Sequence, residues 1–204
     1  MAFEDNVFIN CPFDDEYFSL LRPLIFTVVY LGMKPRIALE ALDAGEARLD
    51  KIVGLIRESK YSIHDLSRIE ARTIGELFRL NMPFELGIDF GCRKFGRGDL
   101  KNKRSLVLEA ERHRYKAALS DLSGMDIEHH DNSPYKVIEI VRNWLKTTCK
   151  LQAAGPARIS GAFTDFTAAN FDDLRGKGFS REDVDNLPIP ELIECMESWV
   201  SENR

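Results

Sequence analysis

Val7-Phe8-Ile9-Asn10-Cys11-Pro12-Phe13-Asp14-Asp15 is a short apolar run that breaks into a polar, proline-bearing turn. Three successive apolar residues bounded by turn formers read as a buried strand. The chain then enters Glu16 to Leu31, which reads as a helix stopped by Gly32. Pro23 either kinks that helix or marks its true start. Arg22 and Pro23 interrupt the run Leu20 to Met33, so it reads as a core helix and not as a membrane span.

Working outward, the same strand–turn–helix unit recurs. Pro35 to Leu39 reads as a second strand. Its companion helix is Glu46 to Ser59, where Leu49, Ile52, Val53 and Ile56 make an apolar face. Tyr61 to Arg68 gives a third strand that ends in polar residues. Ile69 to Leu80 reads as a connection with a partial helix, followed by a helix from Pro83 to Phe95. Gly96 to Arg104 is a basic, glycine-broken loop, and Ser105 to Glu109 the next strand. A helix over Tyr115 to Leu122, a weak strand over Asp126 to His129 and an amphipathic helix over Pro134 to Leu151 complete the series. Strands alternating with helices at this spacing predict an α/β domain with a mostly parallel sheet and helices on both faces. Ala153-Ala154-Gly155-Pro156 marks a boundary. Residues 1–152 then form the α/β domain and residues 156–204 a helical C-terminal appendage, with Phe163, Phe166, Phe171 and Leu174 on one helix. Leu192, Ile193, Met196, Trp199 and Val200 face inward on another.

The composition narrows the classes of function. The 204 residues, 44% hydrophobic and 30% charged, suit one domain with a small addition. A net charge of -5 argues against a general nucleic-acid binder. The 4 cysteines are dispersed and form no Cys-x-x-Cys pair, which fits free thiols in a reducing cytoplasm better than a disulfide framework or a zinc site. The N-terminus is acidic and lacks a signal-peptide pattern. His129-His130-Asp131 has no second ligand cluster at metal-binding spacing.

In parallel sheets, sites form beyond the carboxyl ends of the strands. The turns Asn10 to Asp15, Leu39 to Asp43, His64 to Arg68 and Glu109 to Arg112 fall there, as does the segment leading to Glu85. In Asn81-Met82-Pro83-Phe84-Glu85-Leu86-Gly87, Asn81 reads as a helix cap and Pro83 as a first helical residue. Glu85 then lies in the first turn, where free N–H groups and the helix dipole favour its ionised form. Phe84, Ile88 and Gly91 are expected to face the core.

Two of these stretches carry a resemblance. Phe8-Ile9-Asn10-Cys11-Pro12-Phe13 resembles the first strand and Pro-Phe turn of nucleoside 2-deoxyribosyltransferases. Phe84-Glu85-Leu86-Gly87 resembles their Glu-Leu-Gly motif, and Ser62-Ile63-His64-Asp65-Leu66 is similar in position to the strand between the two. The order is also similar to bacterial proteins related to the Toll/interleukin-1 receptor (TIR) fold, which include NAD-cleaving glycohydrolases. The resemblance spans residues 5–110. It implies a flavodoxin-like three-layer α/β domain that cleaves N-glycosidic bonds. Arg79 and Leu80 stand where the deoxyribosyltransferases carry an acidic residue, which leaves transfer and hydrolysis both open.

Cleaving a C–N glycosidic bond builds positive charge on the sugar, which an ionised carboxylate stabilises or attacks. Glu85 is the residue expected to do this. Asp65 is expected to engage ribose hydroxyls or assist the leaving base. Asn10, Phe13 and Asn81 are expected to contact substrate, and Arg48 and Arg68 to meet phosphates. Each has a plainer alternative. Glu85 is also a favourable first-turn acid, and Asp65 a turn former through an Asx hydrogen bond. Asn10 is equally suited to holding its loop, Arg48 to an exposed charged face, and Arg68 to solvent. The basic stretch Arg93 to Arg104 reads as a solvated loop or a phosphate contact.

The expected activity is an N-glycosidase on a nucleotide, NAD first, by hydrolysis or cyclisation, with no cofactor and no metal. The alternatives are a non-catalytic nucleotide-sensing or assembly module, or deoxyribosyl transfer. The expected partner is a small-molecule nucleotide or nucleoside, with no membrane or nucleic acid. The resemblance also implies a homo-oligomer, since such folds often complete their sites across a subunit interface.

Overall fold

The computed structural model describes residues 3–39, 47–68, 80–112, 114, 119–122 and 124–204. Five parallel strands form one sheet: β1 (Asn6–Asn10), β2 (Lys34–Ile37), β3 (Tyr61–Asp65), β4 (Arg104–Glu109) and β5 (Ile127–His129). Their order is β2-β1-β3-β4-β5, the flavodoxin-like order, in which the direction of winding reverses between β1 and β3. Both of those strands are buried at every position, as strands covered on two faces must be.

Side-chain alternation then decides which helix each residue meets. Val7, Ile9, Cys11, Ile63 and Leu108 share a core with α1 (Phe18–Tyr30) and α4 (Pro134–Cys149). On the other face Phe8 meets Ile52, Leu55 and Ile56 of α2 (Arg48–Arg57), while Leu66 and Val107 meet Met82 and Leu86 of α3 (Asn81–Phe95). The result is a three-layer α/β fold with further helices on one side.

Those further helices are α5 (Pro156–Gly176), α6 (Arg181–Asp185) and α7 (Ile189–Asn203). Their position follows from α1, which buries residues all round its axis from Leu20 to Tyr30 and needs cover on the side away from the sheet. Phe26 meets the rings of Phe166 and Trp199 at 5.4 and 5.9 Å. Ile159, Leu174, Leu192, Met196 and Val200 extend that contact. Short α6 opens with a capping box, Ser180 and Asp183 each bonding the other's backbone N–H. No helix among the described residues is long and apolar enough to cross a membrane.

Several boundaries and faces differ from expectation. Pro23 lies inside α1, which starts at Phe18; only one ladder bond is lost, on a helix held by packing on both sides. α3 starts at Asn81, so Asn81 is a helical residue and not a cap, and Pro83 sits at the third position. Phe84 is 57% exposed, and the buried positions of α3 are Met82, Glu85, Leu86 and Asp89. Two acids turn inward; beneath Asp89 the sheet offers polar partners, among them Ser62, His64 and Ser105. In α2, Leu49 is exposed while Leu55 is buried. Ser120–Leu122 forms a 3-10 turn. The expected connection at Ile69 to Arg79, the turn at Glu40 to Asp43, the start of the second helix at Glu46 and residues 115–118 of the expected helix lie outside the described residues.

Candidate functional site

The carboxyl ends of β1 and β3 carry two buried polar networks, one on each face of the sheet. Alternation separates them: His64 points to the α2/α3 side and Asp65 to the α1/α4 side.

On the α1/α4 side Asp65 is fully buried. The Tyr17 hydroxyl donates to its Oδ2 at 2.5 Å and His130 Nε2 to the same oxygen at 3.0 Å. The Ser67 backbone N–H donates to Oδ1 at 2.8 Å, and the Ser67 hydroxyl also bonds Oδ1. The Asn132 N–H donates to His130 Nδ1 at 3.1 Å, so the ring proton resides on Nε2, facing Asp65. Burial pushes the Asp65 carboxyl up, but the bonds from His130, Ser67 and Tyr17 outweigh it and hold the group below its ordinary value. Asp65 thereby ties α1, β3 and the end of β5 together, with both oxygens occupied. Next to it Glu109 pairs with Arg114 through Nη2 at 2.5 Å and Nε at 3.0 Å, and Arg114 Nη2 also reaches the Ser67 carbonyl at 2.8 Å.

Arg68 closes this side. Its Nε and Nη2 contact Asp14 at 3.2 and 3.1 Å, and Nη2 reaches Glu16 Oε2 at 3.0 Å. Phe13 packs against the α1 core.

On the α2/α3 side the network runs from β1 to the buried face of α3. Asn10 Nδ2 donates to the Met82 carbonyl at 2.9 Å and contacts His64 Nδ1 at 3.0 Å. His64 Nε2 lies 3.1 Å from Asp89 Oδ2. Asp89 also accepts from Ser62 Oγ at 2.5 Å and Ser105 Oγ at 2.8 Å, and pairs with Lys103 Nζ at 2.9 Å. Burial raises the Asp89 carboxyl, but His64, Lys103 and Ser62 overcome it and hold it well below the usual carboxylate range. Lys103 is fully buried and also caps the end of α2, donating to the carbonyls of Ile56 (2.7 Å) and Ser59. The basic loop therefore contributes one of its lysines to the interior, where three acceptors replace its lost water.

Glu85 lies one turn before Asp89 and is 7% exposed. Its environment differs sharply. Among the described residues no hydrogen bond or ion pair reaches its carboxyl. Burial pushes its pKa up to about 7, and the Arg48 guanidinium pulls it the other way. The expectation of a first-turn glutamate held ionised by the helix dipole is thus corrected. With α3 starting at Asn81, Glu85 is its fifth residue, past the reach of free N–H groups, and desolvation dominates. Arg48 is the first residue of α2 and exposed. Cys11, at the end of β1, is buried; desolvation raises its thiol, reinforced by Asp65, Glu85 and Asp14 around it.

The structure thus brings Asn10, Asn81, Glu85 and Arg48 to one side of the sheet's carboxyl edge. Asp65, Arg68, Phe13 and Cys11 are on the other. His64, Asp89, Lys103, Tyr17 and His130 were not singled out by the sequence as functional. One signal did exist: Ser62 and His64 are polar residues on one face of a strand otherwise fit for burial, which requires polar partners across from them. Among the described residues no group of His, Cys, Asp or Glu is placed to hold a metal ion. Comparison with protein-family models, curated proteins and solved structures found no match to this chain.

Proposed function

We propose that this chain is an N-glycosidase acting on a nucleotide, with NAD as the first substrate to test and Glu85 as the group that meets the anomeric carbon. One observation carries the reading. At the β1/β3 switch point, a largely buried carboxyl lacks a partner among the described residues, while Asp65 is hydrogen-bonded through both oxygens and Asp89 is held by His64, two serines and the Lys103 ion pair. A carboxylate left unpaired in a low-dielectric position costs stability, and an active site is where such a cost is offset by function.

In the reaction, the C1′–N bond breaks with its electron pair leaving on the nicotinamide ring nitrogen. The pyridinium becomes a neutral pyridine and needs no proton. The Glu85 carboxylate stabilises or captures the C1′ cation. Water then adds its oxygen to C1′ and releases a proton, through Glu85, to solvent. Arg48, exposed at the start of α2 and near enough to act on the Glu85 charge, suits the diphosphate. Arg68 is committed to Asp14 and Glu16 and fixes the Pro-Phe turn. Asp65 is assigned the same kind of structural duty.

The test is chromatography of a nucleotide panel incubated with wild-type and Glu85→Gln protein. Loss of nicotinamide release in the variant, with circular dichroism unchanged, is the expected result. Equal turnover by the variant removes Glu85 from the chemistry. The engagement of Asp65 and Asp89 with structural partners favours one other reading, a nucleotide-sensing module, because neither carboxylate is free to assist Glu85. Calorimetry showing nucleotide binding with no product from wild-type protein would select it.

A further inference from the structure

The Met82 carbonyl accepts hydrogen bonds and cannot donate, so the Asn10 atom facing it is the amide nitrogen. The same nitrogen faces His64 Nδ1. Its two hydrogens are thereby both assigned, and Nδ1 must be an acceptor. The imidazole proton is then on Nε2, directed at Asp89, which Lys103, Ser62 and Ser105 hold as an acceptor. Phe8 lies edge-on to the imidazole at 6.0 Å and offers no competing polar group. Each member of the chain permits one polarity only, and the amide cannot flip without setting its oxygen against the Met82 carbonyl.

That leaves one atom, Asn10 Oδ1. Asn10 is 3% exposed, yet no donor among the described residues meets Oδ1. It is not among the fully sealed side-chain atoms that lack a partner, so it keeps contact with solvent beyond the end of β1. A ligand that covers this oxygen must supply a donor to it, because an acceptor buried without one is costly. We propose that Asn10 Oδ1 is a specificity-determining acceptor that reads a hydroxyl of the sugar next to the bond cleaved, its orientation locked by the relay Met82–Asn10–His64–Asp89. This rests on the N-glycosidase reading and extends it. A hydroxyl or N–H donor fits this position; a phosphate oxygen, itself an acceptor, does not. His64 and Asp89 act as positioning residues. The same relay pins the first turn of α3, three residues before Glu85, so the sugar contact and the carboxyl are set by one element.

The experiment is a binding cycle by calorimetry with NAD and with NAD lacking the 2′- or the 3′-hydroxyl on its nicotinamide ribose, using wild-type and Asn10→Ala protein. Wild-type protein should bind one of the deoxy analogues about 5- to 100-fold more weakly than NAD, the loss expected when a buried acceptor is left unmet. In Asn10→Ala the two should bind alike. Equal discrimination by the variant, or none by wild type, overturns the inference and leaves the glycosidase reading intact. Binding without turnover defeats the glycosidase reading and leaves the sugar contact standing. Failure of wild type to bind any of the three removes both. Should Asn10→Ala not fold, nitrogen NMR of wild-type protein decides: a proton on His64 Nε2 is expected, and a proton on Nδ1 overturns the relay.

Discussion

A buried carboxyl with a pKa near 7 binds a proton more tightly in the folded chain than in the unfolded one. For Glu85 the folded value is about 7 against an ordinary 4.5, so folding takes up a proton between those limits. Stability therefore falls as pH rises from about 4.5 to about 7 and then levels, at a cost of up to about 3 kcal/mol. Glu85→Gln removes the ionisation. Relative to wild type, the variant should gain about 1–3 kcal/mol at pH 8 and almost nothing at pH 4, read from urea midpoints at each pH. An unchanged difference across that range would show that the carboxyl is not desolvated in solution. The same group predicts the rate profile. A carboxylate that must be ionised gives kcat/KM rising with pH through about 7. A profile falling there would assign Glu85 to proton donation and point to deoxyribosyl transfer, whose leaving bases need a proton.

α3 is the element on which the logic of the α2/α3-side network turns. Its buried edge presents Glu85 and Asp89 one turn apart, and only the second has partners. Lys103 is the keystone beneath it, meeting Asp89 and two carbonyls near the end of α2. Removing one member of a buried charge pair leaves the other uncompensated. Lys103→Met is expected to cost about 3–5 kcal/mol in chemical denaturation. The double variant Lys103→Met/Asp89→Leu should recover part of that loss, because the stranded carboxylate goes with its partner. A cost under about 1 kcal/mol in the single variant would place Lys103 in solvent. The outer face of α3, by contrast, leaves Phe84, Phe90 and Phe95 exposed.

Across the whole molecule the acid side of the stability curve belongs to Asp65 and Asp89. Both carboxyls are held below their ordinary value in the folded state. Their contribution is complete above the unfolded carboxylate pKa of about 4 and is lost as pH falls through the folded values. With Glu85 acting in the opposite sense, stability should peak between about pH 4 and 6 and decline on both sides. Circular dichroism at stepped pH tests this, and a curve flat from pH 3 to 8 would contradict it. The C-terminal helices set a second global term. Phe26 sits between α1's sheet face and the rings of Phe163, Phe166 and Trp199. Phe26→Ala should cost about 3–5 kcal/mol. A near-neutral effect would mean that α5 and α7 are not packed on α1 in solution.

The sequence alone determined the alternation of strands and helices, the parallel sheet and the carboxyl edge where the polar residues collect. Those follow from local periodicity and turn chemistry, which neighbouring residues carry. It also singled out Asn10, Asp65 and Glu85, because polar residues ending buried strands or opening a helix stand out from their surroundings. Only the tertiary structure decided what each was for. Asp65 and Glu85 read alike as acids at one edge, yet four donors close on the first and none among the described residues on the second. Lys103 read as a loop cation and is interior. Adjacent residues stand about 100° apart around a helix, so the face that α3 turns to the sheet decides between Phe84 and Glu85. Burial, partnership and pKa are properties of what lies across the fold, contributed by residues tens of positions away, and no local pattern encodes them.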